Sequence, residues 1–331
     1  MAGETVFITA DPGSVAPQTV IGGLTVLERR LCEADRGGAG RAVVAVDGPL
    51  PAREYRLAVE RAEPGSAAPP GAEVVRADRV AGVTVTDRKS ARRAEWALLR
   101  SLPKSFQGPV DALINCHISL RITRVLARTP LTPNMVTVAA LLIGLGAAAL
   151  LAFIGWRAPA TAPWLLVIAG AMMELQSIVD SCDGELARIR FQFSKLGQWL
   201  DNVADDVTDS ALMLGLGIAA GGRFWLWVGV AAAAGRVFTQ LALYWQVTRA
   251  GGDFWNFRWW FESEVESLDD VYDLRSPLVW FRSLGRRDVY LFLWGVLCAA
   301  QLPQVAAGYA AGMSALFTTM TLIHLGVRHR G

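Results

Sequence analysis

Apolar and polar positions follow different rules on the two sides of Pro109. Before it, short apolar runs alternate with polar, Gly- and Pro-rich segments. Thr5–Ile8, Val43–Val46, Glu73–Arg76 and Val83–Thr86 read as strands, and 24–35 and Ser90–Leu102 as helices. That order predicts a small α/β, Rossmann-like domain over residues 1–105. Residues 62–73 stack Pro and Gly and read as a loop. From Met135 onward the apolar stretches lengthen toward the ~20 residues that span a bilayer, predicting helices near 135–155, 162–188, 196–218, 223–248, 287–302 and 304–327. The fold class is therefore a mainly α membrane protein of six transmembrane helices over 135–331, carrying a small N-terminal α/β domain.

The intervening 106–134 segment is amphipathic. Leu113, Ile118, Leu120, Val125 and Leu126 stand against Arg121, Arg124 and Arg128, which suits an interfacial helix with its guanidiniums toward anionic headgroups. Thr132, Pro133 and Asn134 then open the first span.

Composition agrees with a membrane class. Of 331 residues 53% are hydrophobic, and the mean hydropathy is +0.33. A net charge of +2 gives no electrostatic support to nucleic-acid binding. Cys32, Cys116, Cys182 and Cys298 show no CxxC spacing, so free thiols are expected rather than disulfides or structural zinc. Glu4, Asp11 and Pro12 break the apolar core that a cleavable signal peptide needs, and the N-terminus is expected in the cytoplasm. Basic residues cluster in alternate loops: Arg188, Arg190 and Lys195; then Arg249, Arg258, Arg275, Arg282, Arg286 and Arg287; then Arg328 and Arg330. The opposite loops hold Arg157 and Arg223. The positive-inside rule places both termini in the cytoplasm, as a multi-pass protein of the cytoplasmic (inner) membrane.

The chemistry concentrates in two segments. Asp180, Asp183, Gly184, Ala187 and Arg188 fall at i, i+3, i+4, i+7 and i+8 and share one helix face; Gly197, Asp201 and Asp205 recur every fourth residue on the next helix. A short polar turn would bring these two stripes together near the cytoplasmic ends of their spans. One Asp at a membrane helix centre costs about 2.5–3.5 kcal/mol, so four carboxylates call for a wet cavity or bound cations. Oxygen-only ligands suit Mg²⁺ or Mn²⁺ rather than zinc, with a diphosphate completing the coordination. Gly184, Ala187 and Gly197 leave room for a nucleotide against the helix backbones. Gly215 and Gly217, outside this pattern, are expected to serve helix packing. Asp206 and Asp209 are read as lying off the stripe, either solvated or supporting the site from behind.

The full pattern, D-x2-D-G-x2-A-R-x8-G-x3-D-x3-D over 180–205, resembles the signature of the CDP-alcohol phosphatidyltransferases, and Thr132, Pro133 and Asn134 resemble the family's pattern before its first span. The resemblance implies transfer of a substituted phosphate from a CDP-linked donor, either CDP-diacylglycerol or a soluble CDP-alcohol such as CDP-inositol, to an alcohol acceptor such as an inositol or glycerol phosphate, with release of CMP. It implies two divalent ions on Asp180, Asp183, Asp201 and Asp205, with Asp205 also the general base. It implies nucleotide contacts from Asn134, Gly184, Ala187, Arg188 and Gly197, and a homodimer among membrane lipids. Arg236 interrupts the apolar run 231–238, where an unpaired charge would be expensive. With Arg282, Arg286 and Arg287 it is a candidate for the acceptor's phosphate; positive-inside topology alone would also account for the last three. A non-catalytic lipid-binding scaffold is the alternative, disfavoured because no signature carboxylate is missing.

The N-terminal domain resembles a shortened sugar-phosphate nucleotidyltransferase through Ile21–Leu31, IGGLTVLERRL. Its pairing with the membrane segment resembles the bifunctional enzymes that make di-myo-inositol phosphate derivatives. A triphosphate needs a Gly-rich, basic loop after the first strand, and residues 11–17 offer Asp11, one glycine and no Lys or Arg. The domain is expected to be non-catalytic and dispensable for the chemistry.

Overall fold

The apolar run Val6-Phe7-Ile8 forms the middle of a sheet because neither of its faces meets water. Val6, Phe7 and Ile8 of β1 (Thr5–Thr9) are all buried, as suits a parallel strand covered on both sides. The computed structural model of the protein describes residues 4–11, 13–102, 108–157, 163–249 and 283–328. In it β1 pairs in parallel with β4 (Arg41–Ala45) and β6 (Glu73–Arg76), and β4 with β5 (Ala58–Arg61). The sheet order is β5-β4-β1-β6. Helix α1 (Val26–Arg36) starts where the Thr25 hydroxyl accepts the Glu28 N–H at 3.1 Å, and it buries Leu27 and Leu31 against Val6, Ile8 and Val44. Helix α2 (Arg88–Arg100) starts at a reciprocal cap between Asp87 and Ser90, two of its first-turn donors being satisfied there. Two small hairpins complete the domain, β2 (Val20–Ile21) with β3 (Leu24–Thr25), and β7 (Arg79–Val80) with β8 (Val83–Thr84).

Two expectations shift here. The strand predicted over 83–86 shrinks to β8, one arm of a hairpin. Strand β5 was not foreseen, because Glu60 and Arg61 break its apolar pattern; those charges suit an edge strand, where they discourage further pairing.

The chain divides into two compact units. The first comprises Met1–Pro103, Leu120–Thr132 and Gly184–Phe193; the second comprises Lys104–Ser119, Pro133–Asp183 and Ser194–Gly331. One π-helical turn at Asp111–Asn115 leads into α3 (Cys116–Leu126). Helices α4 (Pro133–Arg157), α5 (Trp164–Arg190), α6 (Lys195–Ala219), α7 (Gly222–Arg249), α8 (Arg287–Ala299) and α9 (Pro303–Arg328) then fall on the six predicted segments. Among the described residues only α4, α5, α7 and Pro303–Gly326 of α9 are long and apolar enough to cross a membrane. Asp201, Asp205, Asp206 and Asp209 make α6 too polar for that criterion. Helix α8, with 13 residues, reaches only about 20 Å.

Leu151, Met173, Leu212, Leu216, Leu291 and Trp294 lie in the second unit's core. Gly217 and Gly229 let α6 and α7 touch backbone to backbone, since a Cβ on Gly217 would stand 2.6 Å from the Gly229 Cα. A Cβ on Gly215 would stand 2.9 Å from the Ala148 oxygen of α4, so both glycines have the packing role expected of them. All four cysteines are free thiols. Arg124 and Arg128 of the predicted interfacial segment have a partner within the first unit: their guanidiniums lie 2.7 and 2.9 Å from the Glu95 carboxylate of α2. Glu95 is buried, and an unpaired charge there would be costly, so these two arginines balance it.

Candidate active site

Helix α6 begins at Ser194, whose hydroxyl accepts the Gly197 N–H at 2.9 Å. A Cβ at Gly197 would come within 2.9 Å of Asn134 Oδ1. The missing side chain is what lets Asn134, in the first turn of α4, approach the start of α6. One turn further along α6, Asp201 meets the carboxylates of α5. Ligand oxygens of Asp180, Asp183 and Asp201 all lie within 4.8 Å of one another. Asp183 is buried and accepts a hydrogen bond from the Thr137 hydroxyl of α4, which fixes one of its oxygens. Three convergent carboxylates, with no nitrogen or sulfur among them, fit a hard divalent cation such as Mg²⁺ or Mn²⁺.

Asp205 stands apart from that triad. Its Oδ1 lies 2.7 Å from Arg287 Nη1, and the same nitrogen lies 2.9 Å from Asp180 Oδ2. Arg287 Nε lies 3.3 Å from Asp209 Oδ1. A single guanidinium at the start of α8 thus ties together two helices of the signature. Behind it lies a network that sequence reasoning missed. Asp209 is fully buried and accepts hydrogen bonds from Arg236 Nη2 at 2.8 Å and from the Tyr290 hydroxyl. Arg236 Nη2 also reaches Asp206 Oδ1 at 3.1 Å, and the Tyr244 hydroxyl donates to Asp206.

This arrangement corrects two expectations. Asp209 is buried and supports the site from behind through Arg287, the second of its two readings, but it is not off the stripe: it follows Asp205 by four residues and extends the 197–201–205 repeat, a signal the spacing already carried. Arg236 is not a lone charge in a span, because Asp206 and Asp209 balance it inside the bundle. Of the other arginines expected at an acceptor phosphate, Arg286 Nε stands 3.5 Å from Asp288 Oδ1, and Arg287 lies on the signature carboxylates. Arg282 falls outside the described residues, as does the whole tryptophan-containing segment 253–275. Gly184, Ala187 and Arg188 continue α5 beyond Asp183 within the first unit, where the Arg188 guanidinium folds back to 3.3 Å from the Cβ position of Gly184.

Outside the spans, Asp111 is pushed up to about 6. Burial is the main cause, followed by the neighbouring Asp288 charge, while Asn115 donates to the Asp111 carboxylate at 2.9 Å and opposes the shift.

Residues 130–260 match the family model described as CDP-alcohol phosphatidyltransferase. A protein of Rubrobacter xylanophilus named bifunctional IPC transferase and DIPP synthase is 38% identical over 173 residues, covering 51% of this chain and 37% of its own length. A protein of the same name from Thermococcus kodakarensis is 27% identical over 248 residues, covering 74% and 49%. One from Aquifex aeolicus is 27% identical over 188 residues, covering 56% and 36%. The chain thus spans less than half the length of these curated relatives.

Proposed function

On the premise that residues 130–260 form a CDP-alcohol phosphatidyltransferase domain, we propose that the protein transfers a substituted phosphate from a CDP-linked donor to an alcohol and releases CMP. The observation that carries this reading is the convergence of Asp180, Asp183 and Asp201 within 4.8 Å. Those three carboxylates would hold the divalent cation, and a second ion would draw on Asp205. When bound, the cation neutralises charge on the diphosphate and on the departing CMP.

The remaining work falls to the chain. The acceptor oxygen bonds to the phosphorus that carries the donor's alcohol, and the bond from that phosphorus to the bridging oxygen breaks, leaving CMP. Asp205 takes the acceptor's proton as general base. Arg287, 2.7 Å from Asp205, keeps that carboxylate in position and, of the described arginines expected at an acceptor phosphate, is the one that reaches the signature carboxylates. Asn134 and Gly197 shape the side of the site where α4 meets α6, and Gly184, Ala187 and Arg188 line the nucleotide. Arg236 acts on this centre only through Asp206 and Asp209.

The relatives share the name bifunctional IPC transferase and DIPP synthase, and both CDP-diacylglycerol and a soluble CDP-alcohol such as CDP-inositol remain candidate donors. Six spans, with both termini and the site facing the cytoplasm, are the accompanying architecture; the four apolar helices support a membrane-spanning chain and the arginines of alternate loops its orientation, while the homodimer rests on the family resemblance alone. The α/β domain is read as non-catalytic. Its loop after β1 holds its own acids: Asp11 lies 3.0 Å from Arg76, and the Gly13 N–H donates to Asp47 at 3.0 Å. The test is CMP release by purified protein offered each donor with a panel of alcohols, with turnover expected for a CDP-alcohol plus a phosphorylated polyol. Release from no donor, at any Mg²⁺ or Mn²⁺ concentration, would sink the proposal.

A further inference from the structure

The α/β domain resembles an enzyme yet lacks its phosphate loop, and the glycine pair that carries the resemblance has a different use in this fold. Gly22 and Gly23 form the tip of the β2–β3 hairpin with φ of +60° and +82°, the left-handed pair that a two-residue turn requires. This tip abuts the end of the signature helix. A Cβ on Gly22 would stand 2.5 Å from Ile189 Cδ1, and one on Gly23 would stand 2.2 Å from the Ala127 oxygen. All of these residues belong to the first compact unit.

The helix end itself is strained. Gln192 N–H bonds to the Ala187 oxygen at 2.9 Å and Phe191 N–H to the Arg188 oxygen at 3.5 Å, the paired closure that usually takes glycine at the left-handed position. Phe191 occupies that position, at φ +54°. A residue with a Cβ is disfavoured there by roughly five- to thirty-fold in population, so such a backbone persists only where its surroundings hold it. The α/β domain supplies the hold. Arg53 donates to the Arg190 and Phe191 oxygens at 3.1 and 2.9 Å, two carbonyls that a helix end leaves unmatched. Buried Arg29 stands 5.6 Å from the Phe191 ring centroid, and Arg36, two turns along α1, stands 4.4 Å from that of Phe193. Arg190 completes the joint, donating to the Leu126, Ala127 and Leu131 oxygens at 3.1, 2.9 and 2.7 Å. That fastens the turn leading into α4 and Asn134.

We propose that the α/β domain is a clamp on the cytoplasmic end of the signature helix, with Arg53 as its main positioning residue, and that it sets affinity for the CDP-linked donor by fixing the turn that carries Ala187 and Arg188. On this proposal the non-catalytic domain has a structural role and is not dispensable. The kinetic half of the inference rests on the function proposed above; the structural half does not. The test uses the full chain in mild detergent and compares the parent with Arg53→Ala, Arg53→Lys and Arg53→Ala/Phe191→Gly. Arg41→Ala, at an exposed ion pair with Glu60, is the control.

Hydrogen exchange at amides 187–192 should quicken about tenfold in Arg53→Ala, the loss of two charge-assisted bonds, while β1 and β4 exchange as in the parent. The apparent KM for the CDP donor should rise roughly three- to tenfold, with acceptor KM and kcat within about twofold of the parent. Arg53→Lys should recover part of both effects. Phe191→Gly, by relieving the strained backbone, should slow exchange again in the Arg53→Ala background. Unchanged exchange at 187–192 would overturn the clamp, and faster exchange with an unchanged donor KM would overturn its role in donor affinity. If Arg53→Ala does not fold, the same two readouts in Arg53→Lys decide the matter. A parent that releases no CMP would refute the proposed function while the exchange comparison still judges the clamp.

Discussion

Replacing Arg236 by methionine keeps an apolar stem in α7 and removes the charge that holds Asp206 and Asp209. In the parent, Asp209 is fully buried with three donors, Arg236 at 2.8 Å, Arg287 at 3.3 Å and the Tyr290 hydroxyl. After the change, Arg287 is the guanidinium left to Asp209 among the described residues, while it also faces Asp180 and Asp205, and Asp206 is left to the Tyr244 hydroxyl. Removing one partner of a buried ion pair costs about 3–5 kcal/mol. Because Asp209 keeps two donors, the low end applies, about 3 kcal/mol. For a unit of this size that corresponds to a fall of roughly 6–12 °C in Tm, read by circular dichroism of purified protein in mild detergent. Arg236→Met/Asp209→Asn should lose less than the sum of the single changes, since the double variant no longer strands a charge. A Tm for Arg236→Met within about 2 °C of the parent would refute this reasoning. If the acceptor's KM rose with stability unchanged, Arg236 would instead belong to the acceptor pocket.

Further outcomes separate the remaining roles. Asp205→Asn keeps the shape but removes the base, so single-turnover CMP release should slow by about 10²- to 10⁴-fold while Mg²⁺-dependent donor binding largely survives; loss of binding equal to that of Asp180→Asn would make Asp205 chiefly a metal ligand. Gly217→Val should lower Tm by 5 °C or more, on the order of 2 kcal/mol for forcing apart two touching helix backbones, and an unchanged Tm would count against the α6–α7 contact. The Asp111 carboxyl sits at about 6 rather than its ordinary 3.8, so its ionisation opposes folding. Its contribution to stability should fall as pH rises from 3.8 through about 6, and Asp111→Asn should flatten that slope in Tm measured against pH. A slope left as steep would show that another group causes it.

The parts of this architecture that follow from local pattern were legible in the sequence. Strands β1 and β4 are built on apolar runs and β6 on the Val74–Val75 pair between two charges, and all six long apolar segments predicted after Met135 are helices. The metal-competent triad was legible as well, because i, i+3 spacing on α5 and the four-residue repeat on α6 place carboxylates on facing stripes whatever the rest of the chain does. Asp209 could have been read from the same repeat, since it is the next residue in it. What the sequence withheld depends on partners far away in the chain. Arg236 stands alone in the 231–238 run, and only the fold brings Asp206 and Asp209 to it; the pairing of Arg124 and Arg128 with Glu95 of α2 likewise joins residues far apart in sequence. Strand β5 was hidden because an edge strand needs no apolar alternation. The link from Arg53 to Arg190 and Phe191 crosses more than a hundred residues and joins a side chain to backbone carbonyls, a pairing that residue type does not advertise.

The proposed transfer from a CDP-linked donor depends on a divalent cation held by Asp180, Asp183 and Asp201. The most direct test is single-turnover CMP release by the purified full chain, from CDP-inositol and from CDP-diacylglycerol, with a phosphorylated polyol acceptor, before and after EDTA and after restoring Mg²⁺ or Mn²⁺, alongside Asp183→Asn. The account expects release from one of these donors by the parent, its loss on chelation, its recovery with either metal, and at least a 10²-fold lower rate in Asp183→Asn at every metal concentration, on the order of a missing metal contact. Release that persists in EDTA, or an Asp183→Asn variant as fast as the parent, would contradict it.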